Sequence, residues 1–189
     1  MFMETHLLST EDEFYTKIGS LIDELNNKSS LKQILSWEAD KYWLFKLKQE
    51  NTLIGYGLVG DFSKGYQDRN CNYMIGTRYW LVSMEIMPTY QRQGYGKKLL
   101  NYVRNYIDQH LYVYTLRKAA PFYLKLGAFS ISNDPEWFFE DNSYMIFPKT
   151  QVKSEEDLFQ ILRETYFDSI NAYTTTQQIM KLLNNEDSD

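Results

Sequence analysis

The stretch Ser83-Met84-Glu85-Ile86-Met87-Pro88-Thr89-Tyr90-Gln91-Arg92-Gln93-Gly94-Tyr95-Gly96-Lys97-Lys98 decides how the rest of the chain is read. An apolar run, Trp80 to Met87, stops at Pro88. A glycine-bearing turn follows, and a helical pattern begins beyond it. Strand, glycine turn and helix start together suit phosphate. Glycine lets the backbone approach an anion and take positive φ, and the unpaired N–H groups of a helix start point at it under a favourable dipole.

Spacing narrows the choice. A dinucleotide fingerprint needs a third glycine where Leu99 stands, and a P-loop needs Ser or Thr after Gly96-Lys97, where Lys98 stands. The remaining pattern, Ile86-x-Pro88-x-x-Gln91-x-x-Gly94-x-Gly96 before a helix, resembles the pyrophosphate loop of the GNAT superfamily of acetyl-CoA-dependent N-acyltransferases. A second stretch carries the same resemblance: Ala119, Phe122, Tyr123, Gly127 and Phe129 match an Ala-x-x-Phe-Tyr-x-x-x-Gly-Ala-Phe motif that follows the family's fifth strand. Between them the two motifs cover residues 80–130.

Composition sets outer bounds. With 189 residues, 43% of them hydrophobic and including 16 Tyr and 11 Phe, the chain can bury a core of its own. No apolar run approaches the roughly 20 residues of a membrane helix, and the start lacks the order of a signal peptide; the expectation is a cytoplasmic protein without a membrane partner. One cysteine, Cys71, and two histidines leave no basis for an internal disulfide or a zinc site, so no metal is expected. A net charge of −5 speaks against nucleic acid as a partner and suits a cationic substrate.

Thr10-x-x-Glu13 is a capping box, and Phe14, Ile18, Leu21, Ile22 and Leu25 recur at helical spacing over 11–26. Ser30 opens a short second helix with Leu31, Ile34 and Leu35 inward. Tyr42 to Lys48, Thr52 to Val59, Cys71 to Ile75 and Trp80 to Met87 read as strands, the first two joined by a turn at Gln49-Glu50-Asn51. Gly55, Gly57 and Gly60 mark a bulge or a close backbone approach. The helix after the glycine turn carries Leu99, Val103, Tyr106 and Ile107 on one face. His110 reads as its C-terminal cap. Leu111 to Leu116 is a further strand. Pro121 and Gly127 bracket a short helix, and Ala128 to Ser132 and Ser143 to Phe147 close the sheet. His6 stands near a chain end. Tyr42, Trp43, Tyr56, Tyr73, Tyr79 and Trp80 read mostly as core, with some available to a cationic acceptor.

The alternation of strands and helices indicates an α/β class. The resemblance sharpens this to a mixed, mostly antiparallel central sheet flanked by helices, with strands 80–87 and 111–116 splayed to admit the cofactor. Residues 1–150 are then an acyltransferase domain. Residues 151–189 form a C-terminal helical extension, beginning with a helix capped by Ser154-x-x-Asp157, that packs on the core or on a partner such as a second copy.

The resemblance implies acetyl-CoA as cosubstrate. Its pantetheine arm would pair with the backbone at Ile86 and Met87. Its pyrophosphate would rest on the loop Gln91, Arg92, Gln93, Gly94, Tyr95, Gly96 and Lys97, with Arg92 and Lys97 adding charge. A backbone N–H near Met87 would polarise the thioester carbonyl. Glu85, the carboxylate on the strand, would take a proton from the amine, and Tyr123 would protonate the leaving thiolate. Leu116 stands where many relatives carry an Asn, so that amide contact is missing or passes to Thr115 or Arg117. The implied reaction is acetyl transfer to a primary amine, on a small molecule or a peptide, by direct attack in a ternary complex. The alternatives are a catalytically silent acyl-CoA-binding sensor or scaffold, and an unrelated α/β protein whose loop binds another phosphate.

Overall fold

A computed structural model of the chain describes residues 1–25, 31, 39–62, 79–131, 142–163, 176–178 and 180–181. They fall into two units, Met1–Lys64 with Arg78–Asp108, and Gly65–Thr77 with Gln109–Asp189. The expected short helix after Ser30 and the expected strand at 71–75 lie outside the described residues, apart from Leu31, as do Cys71 and Tyr73.

The first unit is a four-strand antiparallel sheet with a helix on each side. Its strands are β1 (Phe2–Leu8), β2 (Lys41–Gln49), β3 (Thr52–Asp61) and β4 (Tyr79–Ile86), paired in that order. Helix α1 (Glu11–Glu24) begins where expected, because both halves of the capping box form: Thr10 Oγ1 accepts from Glu13 N, and Glu13 Oε2 accepts from Thr10 N. Phe14, Ile18, Leu21 and Ile22 are buried on one side of it, and Phe14 packs its ring 4.6 Å from Tyr42. Helix α2 (Tyr95–Ile107) packs on β3 and β4 through Leu99, Leu100 and Val103. Tyr106, expected in that core face, is half exposed. The inward stripe runs through Leu100 instead, and Tyr106 reaches sideways to lie edge-on against Phe45 at 5.3 Å.

No sequence pattern announces strand β1. Of its seven residues only Leu8 is deeply buried, so the stretch lacks the apolar alternation that announces a strand. His6 belongs to it, beside Glu4 at 3.8 Å. The β2–β3 turn carries Glu50 at φ 53°. Register shifts beside Ile54 on β3 and beside Val82 on β4 mark irregularities on either side of the glycine-rich strand. Gly55 is a close approach: a Cβ there would lie 2.6 Å from Glu85 O and 2.5 Å from Ile86 Cδ1. Any side chain at Gly55 would push away the end of β4.

The second unit holds the antiparallel strands β5 (Leu111–Leu116), β6 (Phe129–Ser130) and β7 (Asn142–Phe147), with β7 in the middle. Helix α3 (Ala120–Lys125) has Pro121 in its first turn, and Gly127 just beyond its end takes φ 91°. Asp108 ends α2 in a left-handed conformation, with its N–H on Arg104 O. In the second unit, His110 Nδ1 accepts from Lys149 N at 3.1 Å and ties the start of β5 to the exit of β7. Helix α4 (Glu155–Arg163) is capped by Ser154 Oγ and Asp157 Oδ2, each accepting from the other's N–H. Leu158 and Leu162 are buried beneath it. Thr176 Oγ1 accepts from Ser130 N at 2.8 Å, which joins a residue of the last segment to β6.

Candidate active site

The first unit carries the glycine turn. Gly94 sits at φ 80°, ψ 0°, immediately before α2, and no side chain caps that helix. An α-helix makes its first internal bond four residues in, and here the first is Lys98 N to Gly94 O. The N–H groups of Tyr95, Gly96 and Lys97 therefore have no partner within the helix. The first turn has no acidic residue, and it contains Lys97 and Lys98 where the dipole disfavours cations. A Cβ at Gly94 would meet nothing within 4 Å. Bare amides and two cations fit a diphosphate, which is the group the resemblance asks for.

Glutamines hold the loop in shape. Gln91 Nε2 donates to Ile86 O at 2.9 Å, and Gln93 Nε2 donates to Thr89 O at 2.9 Å. Both side chains thus brace the turn's own backbone. Arg92 takes φ 59°, a strained value for a residue with a Cβ, and its side chain is exposed.

Just beyond β4, Met87 N donates to Ile54 O at 2.8 Å. This N–H is committed to the sheet, so it cannot serve as the carbonyl-polarising donor. Antiparallel ladders alternate, so the N–H of Ile86 turns to the edge of β4 away from β3. Glu85 is half-buried and lies directly across from Tyr56, whose hydroxyl donates to Glu85 Oε2 at 3.1 Å and lies 3.3 Å from Ser83 Oγ. Tyr56 itself is fully buried. By sequence this tyrosine is one of a set of aromatics read mostly as core, with some available to a cationic acceptor. Its pairing with Glu85 depends on the register shift beside Val82, which no sequence pattern announces.

Tyr123 belongs to the second unit. It lies in α3, edge-on to Phe122 at 5.1 Å and to Phe147 at 6.2 Å. Burial pushes its phenol up to about 12, so the hydroxyl stays protonated at neutral pH. On β5, Thr115 is buried and Leu116 is exposed, and Thr115 Oγ1 lies 3.4 Å from Leu116 O. Among the described residues, no cluster of His, Cys, Asp or Glu could hold a metal ion, and no helix is long and apolar enough to cross a membrane.

A sequence model of the acetyltransferase (GNAT) family matches residues 7–128. The chain belongs to that family. Among solved structures, the ribosomal-protein-S18-alanine N-acetyltransferase of Escherichia coli matches at 17% identity, covering 80% of this chain and 97% of its own, with a TM-score of 0.50. The smu.2055 protein of Streptococcus mutans matches at 14% identity over 79% of this chain and 100% of its own, with a TM-score of 0.49. The Bacillus subtilis N-acetyltransferase YlbP, solved in complex with coenzyme A, matches at 15% identity over 78% and 97%, with a TM-score of 0.45. No curated protein matches the chain. At such identities the E. coli enzyme speaks to fold alone: the mixed, mostly antiparallel α/β fold of a GNAT acetyltransferase.

Proposed function

We propose that this GNAT protein transfers the acetyl group of acetyl-CoA to a primary amine, on a small molecule or a peptide, by direct attack in a ternary complex in the cytoplasm. The observation that carries the reading is the start of α2, which is uncapped and basic, with Gly94 in a left-handed conformation before it. Residues 1–150 would be the acyltransferase domain and 151–189 an extension held against it, as the bond from Ser130 to Thr176 suggests.

Acetyl-CoA supplies an activated thioester when bound. The N–H groups of residues 92 to 97 would hold its diphosphate, with Arg92 and Lys97 adding charge, and the edge of β4 at Ile86 and Met87 would hold its arm. The Ile86 N–H, aimed away from β3, is the better candidate for the carbonyl-polarising donor, because that of Met87 is spent on Ile54. Glu85 would accept a proton from the acceptor ammonium, directly or through water. Tyr56, whose hydroxyl donates to Glu85, positions that carboxylate. Tyr123 would give its proton to the leaving thiolate, and the raised phenol keeps that proton available.

Calorimetry with acetyl-CoA tests the binding step, and thiol release across a panel of amines tests turnover. No binding at high micromolar acetyl-CoA would overturn the cofactor. Binding without turnover would leave the silent acyl-CoA module as the reading. Tyr123→Phe is expected to lower the rate about 100-fold. The same variant has a stability signature. The folded phenol holds its proton to about 12, against 10.0 ordinarily, so its contribution is full below pH 10 and lost as pH rises through 12. Denaturation of Tyr123→Phe should show less loss of stability over that window.

A further inference from the structure

Strand β1 is the outer strand of its sheet. Among the described residues it pairs only with β2, in unbroken register from Phe2↔Lys48 to Leu8↔Tyr42. Exposed edges are usually blunted by proline, lysine or a bulge. The stretch Phe2–Leu8 contains none of these.

Apolar surface collects at this edge. Of the seven large apolar side chains exposed among the described residues, Met1, Phe2, Leu7 and Tyr106 lie here. Tyr106 reaches the edge through Tyr102, with which it stacks and whose hydroxyl lies 3.3 Å from Thr5 Oγ1.

The strand is also its own complement about Thr5. Laid antiparallel on a second copy and centred there, Glu4 faces the partner's His6 and Met3 faces the partner's Leu7. Thr5 meets its own counterpart, and Phe2 faces the partner's Leu8. Centring on Glu4 would oppose two carboxylates, and centring on His6 would set Glu4 against Leu8. Only the Thr5 register sets the Glu4 carboxylate against a hydrogen-bond donor, the partner's His6 imidazole. Glu4 already has Lys48 at 3.2 Å and His6 at 3.8 Å. A carboxylate accepts several donors, so a further imidazole adds to this set.

We infer that β1 is the seam of a homodimer, two copies joined edge to edge across a two-fold axis at Thr5 so that Glu4 of each meets the partner's His6. The interface is isologous, and its main-chain ladder is that of strand addition. On the opposite face of the sheet, Leu7 and the Tyr102–Tyr106 pair of each copy come beside the Thr5 row and are covered. This inference stands apart from the acetyl-transfer reading and uses a different surface from the C-terminal helices.

Sedimentation equilibrium of the full chain, from about 1 to about 200 µM, should show the mass rising from 22.6 kDa toward twice that value. His6→Glu sets Glu4 against a second carboxylate at both symmetric contacts and should raise the dissociation constant about tenfold. Adding Glu4→His to it restores the pairing and should return the constant to within about threefold of wild type. A cross-link gives a readout independent of charge. In a Cys71→Ser background, Thr5→Cys should close a disulfide across the axis on mild oxidation, since opposed Cα atoms in an antiparallel pair lie within disulfide reach. Leu7→Cys should not, because its counterpart lies roughly 14 Å along the strand. The inference is overturned by a chain that stays monomeric throughout, by a dimer indifferent to His6→Glu or not rescued by the exchange, or by Thr5→Cys cross-linking no faster than Leu7→Cys.

Discussion

Helices α1 and α2 stand in the same unit and meet the same problem in opposite ways. Each begins with backbone N–H groups that the helix cannot use. At α1 the chain supplies the answer itself: Thr10 and Glu13 close a capping box, and Glu11, Asp12 and Glu13 put negative charge where the dipole favours it. Helix α4 does likewise with Ser154 and Asp157, whose carboxyl is held below the usual carboxylate range first by the Lys153 N–H. At α2 the chain supplies glycine before the helix and lysine within its first turn. A helix start set against its own electrostatics is the feature on which the proposed diphosphate site rests.

Making α2 resemble α1 is the severest way to break this contrast. Lys97→Glu with Lys98→Glu should weaken acetyl-CoA binding about 100-fold while raising the stability of the free protein by roughly 0.5 kcal/mol per charge. Calorimetry and urea denaturation read the two effects, and a double variant that binds normally would end the comparison. Tyr56→Phe probes a polar group satisfied from within, like those of α1. It should cut kcat about tenfold and leave the affinity for acetyl-CoA unchanged; a fall in both, or in neither, would remove Tyr56 as a positioning residue. Gly94→Ala sharpens the contrast further. A Cβ there clashes with nothing, so the cost is conformational, about 1 kcal/mol for a left-handed residue, seen as a lower denaturation midpoint. The smallest effect belongs to α1. Thr10→Ala should cost about 1 kcal/mol or less of stability and leave acetyl-CoA binding untouched.

Local chemistry was legible wherever a short stretch decided the outcome. The capping boxes at Thr10 and Ser154, the strand ending at Pro88, the turn at Gly94 and the short helix between Pro121 and Gly127 all formed where the residues indicated. Readings failed where a neighbour distant in sequence made the choice. Tyr106 had the right spacing for the core and lost its place to Leu100. Phe2–Leu8 forms a strand only because β2 offers it an edge.

The amino-acid order alone determined the glycine turn and the basic, uncapped start of α2, because a glycine, a missing cap and two lysines act within one helical turn. Tertiary structure decided which main-chain groups remain available beside it. Strand register fixes hydrogen-bond direction, so the pairing of β3 with β4 spent the N–H of Met87 on Ile54 and brought the hydroxyl of Tyr56 to Glu85. No run of residues encodes a register set jointly by a hairpin, a bulge and the packing of two strands.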